Sequence, residues 1–149
     1  AVRYPDLNFI YPVHLNPNVK NIVEGRLSGY ENIHLIAPLD YISFVSLMAK
    51  ARIIMTDSGG IQEEAPSFKK PLIVMRETTE RPEGVKLGIA RLCGTDKDKI
   101  INAFDFYFHQ KNNHSFSNPY GDGKASQRIL NTLLKDEVYE TTTSSYFDH

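Results

Sequence analysis

The chain contains one cysteine, Cys93, so it forms no internal disulfide, and a reducing cytoplasm is the simple expectation. Cys93 itself reads as a core or strand-end residue. Neither sign of charge is in excess. Seventeen Lys and Arg against 18 Asp and Glu leave a formal net charge of −1, which argues against nucleic acid or an anionic membrane as the main partner. No apolar run approaches the roughly 20 residues needed to span a bilayer, and no signal-peptide pattern opens the chain. Repeats and low-complexity tracts are lacking. The five histidines show no metal-ligand spacing, so neither a metal nor another cofactor is expected. Two common nucleotide fingerprints are also missing, G-x-x-x-x-G-K-[ST] and a G-x-G-x-x-G after a strand. ATPase and dinucleotide-dehydrogenase readings lose most of their support with them.

What is present is a run of short apolar segments alternating with helical patterns, as in βαβ units with a parallel sheet. The expected strands are 7–13, Ile33–Ile36, 52–56, 72–75 and Ala90–Leu92, several of them apolar throughout, as strands covered on both faces tend to be. The expected helices are Pro17–Leu27, 41–49, 60–65, 82–87, 97–108 and 123–134. Tyr41, Phe44, Val45 and Met48 recur at helical spacing and mark a buried face. Pro66 should end or kink the third helix, and Asp96 should cap the fifth. Residues 111–117 read as a polar loop. At 149 residues the chain fits one domain, 1–136, followed by a Thr- and Ser-rich polar tail, 137–149. It begins with Ala1, and a core strand follows within six residues. A piece cut from a longer protein is expected to look that way, although removal of Met leaves the same start.

Such sheets bind ligands at the strands' carboxyl ends. Four segments fall there: His14 with Asn16, residues 38–44, residues 57–64 and residues 76–83. Thr56-Asp57-Ser58-Gly59-Gly60-Ile61-Gln62-Glu63-Glu64 reads as a strand end, a turn and a helix start. Ser58, Gly59 and Gly60 are either a tight turn with a Ser cap or a cradle in which backbone amides approach a diphosphate. Glu63 and Glu64 either favour the helix's positive end or grip the hydroxyls of a ribose. Arg81 either pairs with phosphate oxygens or with Glu80 or Glu83, and Arg76 is a second, weaker candidate. His14 is a structural histidine, a phosphate donor or a proton carrier. Phe44 follows the periodicity of plain core. Residues 118–123 form a glycine-rich helix entry whose chemistry composition does not reveal.

Taken together, Pro12-Val13-His14-Leu15-Asn16-Pro17, Pro38-Leu39-Asp40-Tyr41, TDSGGIQEEAP at 56–66, TTERPE at 78–83 and NPYGDGK at 118–124 resemble the non-hydrolysing UDP-N-acetylglucosamine 2-epimerases. The blocks stand in that family's order and cover nearly the whole chain apart from the tail. The resemblance implies the C-terminal half of a GT-B-type two-domain enzyme, a three-layer Rossmann-like parallel sheet with helices on both faces. It also implies a UDP-sugar substrate, a missing N-terminal domain and a homodimer of the full-length enzyme. By the same resemblance Ser58, Gly59, Gly60, Glu64 and Arg81 hold UDP, Phe44 packs near the uracil, and His14 is catalytic or touches substrate. Leu39 stands where some relatives carry a base-contacting Gln, and Ala37 replaces a common acidic residue. The implied reaction eliminates UDP from UDP-GlcNAc to give a 2-acetamidoglucal and adds UDP back to yield UDP-ManNAc. The carboxylates that move the C2 proton lie on the other domain, so this piece alone should bind UDP weakly and turn over nothing. Two alternatives stand beside it: the nucleotide-binding half of a GT-B glycosyltransferase, and a nucleotide-binding domain without chemistry.

Overall fold

A computed structural model of the chain describes residues 1–110 and 117–143, with side chains up to residue 134. It forms two compact units, Ala1–Leu47 and Met48–His149. The first contains β1 (Phe9–Pro12), α1 (Pro17–Leu27) and β2 (Ile33–Ile36), and α2 (Tyr41–Lys50) begins in it. β1 and β2 pair in parallel, with Phe9 opposite Ile33 and Pro12 opposite Ile36. The Asn16 side chain accepts from the Asn18 amide, and Pro17 opens α1 where no N–H is needed. Asp40 starts α2 in the same way, accepting from the Ser43 hydroxyl at 2.6 Å and the Ser43 amide at 3.0 Å. Those two bonds, the hydroxyl's first, hold its carboxyl below the ordinary carboxylate range. The Asn32 side-chain Nδ2 shares its two N–H groups among the carbonyls of Ala1, Tyr4 and Leu7 and so ties down the leading segment.

The second unit runs β3 (Ile54–Thr56), α3 (Gly59–Glu64), a 3-10 turn (Ala65–Phe68), β4 (Leu72–Val74), α4 (Pro82–Lys86), β5 (Ala90–Leu92), α5 (Lys97–His109) and α6 (Ala125–Thr143). Its strands lie in the order β3-β4-β5, all parallel. Every residue of β4 is fully buried, because successive side chains of a central strand leave on opposite faces and both faces are covered. Leu72 and Val74 pack with Ala65 and Ala90, flanked by Ile61 of α3 and Val85 of α4. Ile73 points the other way, to Cys93 and to Ala103 and Tyr107 of α5. Helices on both faces of a parallel sheet make this unit a three-layer α/β sandwich.

Where structure and expectation differ, the reasons are local. Among the described residues the strands form two ladders, β1-β2 and β3-β4-β5, where a single run of five or so was expected. α6 continues to Thr143, nine residues past its expected end at 134 and into the expected tail, because no Gly or Pro follows Gly123 to stop it. Four of its apolar residues, Ile129, Leu130, Leu133 and Leu134, are exposed. Tyr41 is 67% exposed, since it opens α2 and lies beyond the part of the stripe that ends in buried Met48. α3 gives way to the 3-10 turn at Ala65–Phe68, with Pro66 at its start, and Asp96 accepts from the Lys99 amide at 2.9 Å as the cap of α5. The loop expected at 111–117 lies outside the described residues except for Ser117, and His114 and residues 144–149 also lie outside them.

One pH prediction arises in this core. Burial pushes the Tyr107 phenol up to about 12 from its usual 10, while its hydroxyl donates to the Gly88 carbonyl at 3.2 Å. A folded-state pKa above the unfolded value favours folding below the unfolded pKa, and that contribution is lost as pH rises through the folded one. Wild type should therefore lose melting temperature between about pH 10 and 12 more steeply than Tyr107→Phe, which has no phenol to ionise. Parallel slopes in thermal melts would show that Tyr107 ionises as easily in the folded chain as in the unfolded one.

Candidate functional site

β3 and β4 run side by side in parallel, with Thr56 opposite Val74, so the segments that follow them leave from the same edge. The first is Asp57-Ser58, leading into α3; the second runs from Met75 to Arg81, leading into α4. Ser58 stands at the cap of α3 in extended conformation, but its hydroxyl makes no capping bond. Instead Thr56 Oγ1 accepts from the Ser58 amide at 3.1 Å and fixes the turn. The first bond of the helix runs from the Gln62 amide to the Ser58 carbonyl. The amides of Gly59, Gly60 and Ile61 precede it and have no acceptor within the helix.

Arg81 is brought directly to this turn. Its Nε donates to Glu63 Oε1 at 2.7 Å and its Nη1 to Glu80 Oε2 at 2.8 Å. Glu80 is largely exposed, so the Glu63 bond is the one that fixes the head group. That bond, more than any other influence, raises the guanidinium pKa above its already high value, and the charge is permanent. A Cβ on Gly59 would lie 3.1 Å from Arg81 Cζ and Nη1. Any larger residue there would press the guanidinium outward by a few tenths of an ångström. Two positive features, the guanidinium and the amide end of α3, thus lie side by side while Glu63 and Glu80 hold the arginine in place.

The residues expected from sequence divide into two sets. Ser58, Gly59, Gly60 and Arg81 are together, and Glu64 lies half-buried at the end of the same helix. His14 and Phe44 belong to the first unit. His14 is exposed, and its Nδ1 accepts from the Asn16 amide at 3.1 Å, which leaves the proton of the neutral ring on Nε2. Phe44 is half-buried on α2. Arg76 is exposed, and its carbonyl accepts from the Gly94 amide at 3.1 Å.

Three further residues were missed from sequence. Tyr120 Oη accepts from the Gly84 amide at 2.8 Å and donates to the Arg81 carbonyl at 3.0 Å. Burial raises its pKa, so it stays a neutral donor. The Asn118 amide reaches the Glu63 carbonyl at 3.0 Å and Ser67 Oγ at 2.7 Å. Gln62 bridges the two segments from beneath. The only signal was the density of turn formers at 118–123, which marked a defined loop and said nothing of its contacts. No group of three or more His, Cys, Asp or Glu able to hold a metal is found among the described residues. No described helix is long and apolar enough to cross a membrane.

Parallel strands, covering helices and a Gly-Gly turn at the carboxyl edge define a Rossmann-like α/β protein. The family model described as UDP-N-acetylglucosamine 2-epimerase matches residues 1–134, and the chain belongs to that family. It is 51% identical over 144 residues to the UDP-N-acetylglucosamine 2-epimerase of Yersinia pestis, covering 93% of this chain and 38% of that protein. It superposes on the UDP-GlcNAc 2-epimerase of Neisseria meningitidis, solved with UDP-GlcNAc, with a TM-score of 0.75 at 48% identity, over 91% of this chain and 38% of that one. The S. aureus protein MnaA, solved with UDP, gives a TM-score of 0.82 at 44% identity, over 89% and 36%. The chain therefore spans well under half the length of these relatives.

Proposed function

We propose that this chain is the UDP-binding part of an enzyme that interconverts UDP-GlcNAc and UDP-ManNAc. The observation that carries the reading is the Arg81 guanidinium seated over Gly59 and tied to Glu63, in a family with members solved bound to UDP and to UDP-GlcNAc. A diphosphate at that spot meets the amides of Gly59 and Gly60, the free hydroxyl of Ser58 and the permanent charge of Arg81. Glu64 takes the ribose hydroxyls; for Phe44 and His14, which belong to the first unit, contact with the uracil and with the substrate is what the family resemblance implies.

These roles suit elimination and re-addition. A base removes the proton from C2, the C1–O bond breaks, and UDP leaves with the bonding pair to give the 2-acetamidoglucal. Re-addition of UDP, with a proton returned to C2 from the opposite face, gives the epimer. Negative charge grows on the departing diphosphate, so donors fixed before the reaction begins stabilise the transition state more than the ground state. The carboxylates that move the C2 proton belong to the N-terminal part that the relatives possess, and the complete enzyme is a cytoplasmic homodimer.

The diphosphate is the part of the ligand that this reading stakes itself on. Saturating UDP should raise the melting temperature of the 149-residue chain more than uridine at the same concentration. Equal shifts would mean that the pyrophosphate is not held at all.

A further inference from the structure

Gln62 is 2% exposed in α3, where Ile61 beside it and Ala65 just past the end of the helix pack into the core. A buried amide is unfavourable unless both its ends are bonded. Here both are, and each end reaches a different half of the site. Gln62 Nε2 donates to the Ser58 carbonyl at 3.2 Å, and Oε1 accepts from the Thr79 hydroxyl at 2.7 Å. Thr79 Oγ1 in turn accepts from the Arg81 amide at 3.1 Å. The donors all point one way, from Arg81 through Thr79 and Gln62 to Ser58. Bonds aligned head to tail polarise one another, so the chain is stiffer than separate contacts. Its direction also fixes the Gln62 amide, because a flipped group would set Oε1 against the Ser58 carbonyl oxygen. From the other side the Tyr120 hydroxyl holds the Arg81 carbonyl.

Resting on the UDP-binding reading above, we propose that Gln62 and Thr79 are positioning residues that lock the Ser58 turn to Arg81, so that the two sides of the diphosphate site move as one. Neither needs to touch the ligand. A residue that only filled the core would lower stability and leave ligand discrimination alone, whereas a positioning residue changes how the diphosphate is held.

The test compares UDP and uridine binding to the 149-residue chain by isothermal titration, with folding checked by circular dichroism. Thr79→Val keeps shape and removes the relay; it should weaken UDP binding by roughly fivefold to tenfold and leave uridine within twofold. Thr79→Ser, which keeps the hydroxyl, should restore wild-type affinity. Added to Arg81→Ala, Thr79→Val should have no further effect, since the group it positions is gone. If Thr79→Val does not fold, Thr79→Ala and Gln62→Met carry the same comparison. Wild type that fails to bind UDP overturns this inference together with the reading it rests on. UDP binding that is sensitive to Arg81→Ala but indifferent to Thr79→Val overturns this inference alone. Equal losses for UDP and uridine, or an additive double variant, also overturn it.

Discussion

Arg81→Ala lowers the affinity of the chain for UDP by roughly 10- to 100-fold, the range expected when hydrogen bonds to a charged partner are removed. Uridine binding should stay within about twofold, because nothing at the Gly59 turn addresses the base or the sugar. The magnitude follows from the geometry. The guanidinium is held over Gly59 by Glu63 before any ligand arrives, so little ordering remains to be done on binding. Arg81→Lys should recover only part of the loss, since an ammonium reproduces the charge and not the planar fork. Folding stability should hardly change, because both partners of the Arg81 ion pair are partly exposed. Isothermal titration with both ligands decides the matter. Undiminished UDP affinity in Arg81→Ala would make the residue a surface ion-pair partner and no more.

How much of this could be read from sequence depended on the range of the contacts. Ile33–Ile36, Ala90–Leu92 and Pro17–Leu27 match the structure end to end, because their signals are local: an apolar run, or Asn16 followed by Pro17. The Ser58-Gly59-Gly60 turn was legible for the same reason. The pairing of Arg81 with Glu80 was legible, since spacing offered Glu80 or Glu83; the pairing with Glu63 was not, because only α3 carries Glu63 across. Tyr120 was illegible. Its partner Gly84 lies 36 positions away, and the need for glycine there appears only when a Cβ is placed 2.8 Å from the Tyr120 hydroxyl. Gln62 looked like one polar residue in a short helix, and nothing nearby in sequence says that it is buried. α6 shows the opposite case: polar composition suggests an end near 134 that no helix breaker supplies.

The largest effect on stability should come from Ile73→Ala. Ile73 is fully buried at the middle of β4, between Met55 of β3 and Arg91 of β5, and it packs on Cys93, Ala103 and Tyr107. Truncation removes three carbons from a site whose walls are a central strand and the long helix α5, neither free to collapse inward. A loss of about 3–4 kcal/mol is expected, within the range for Ile→Ala in tightly packed cores. Against a total of roughly 5–15 kcal/mol for a domain this size, that is a large fraction. Leu87→Ala serves as the contrast: Leu87 is 54% exposed, and its loss should stay within about 0.5 kcal/mol. Urea unfolding at fixed temperature measures both. UDP affinity under conditions where Ile73→Ala remains folded should be close to wild type, because the substitution lies beneath the sheet and leaves the Ser58 and Arg81 segments in register. A loss below about 1 kcal/mol would show that β4 is not the strand on which the unit is built, and the alignment of the two site-bearing segments would then need another cause.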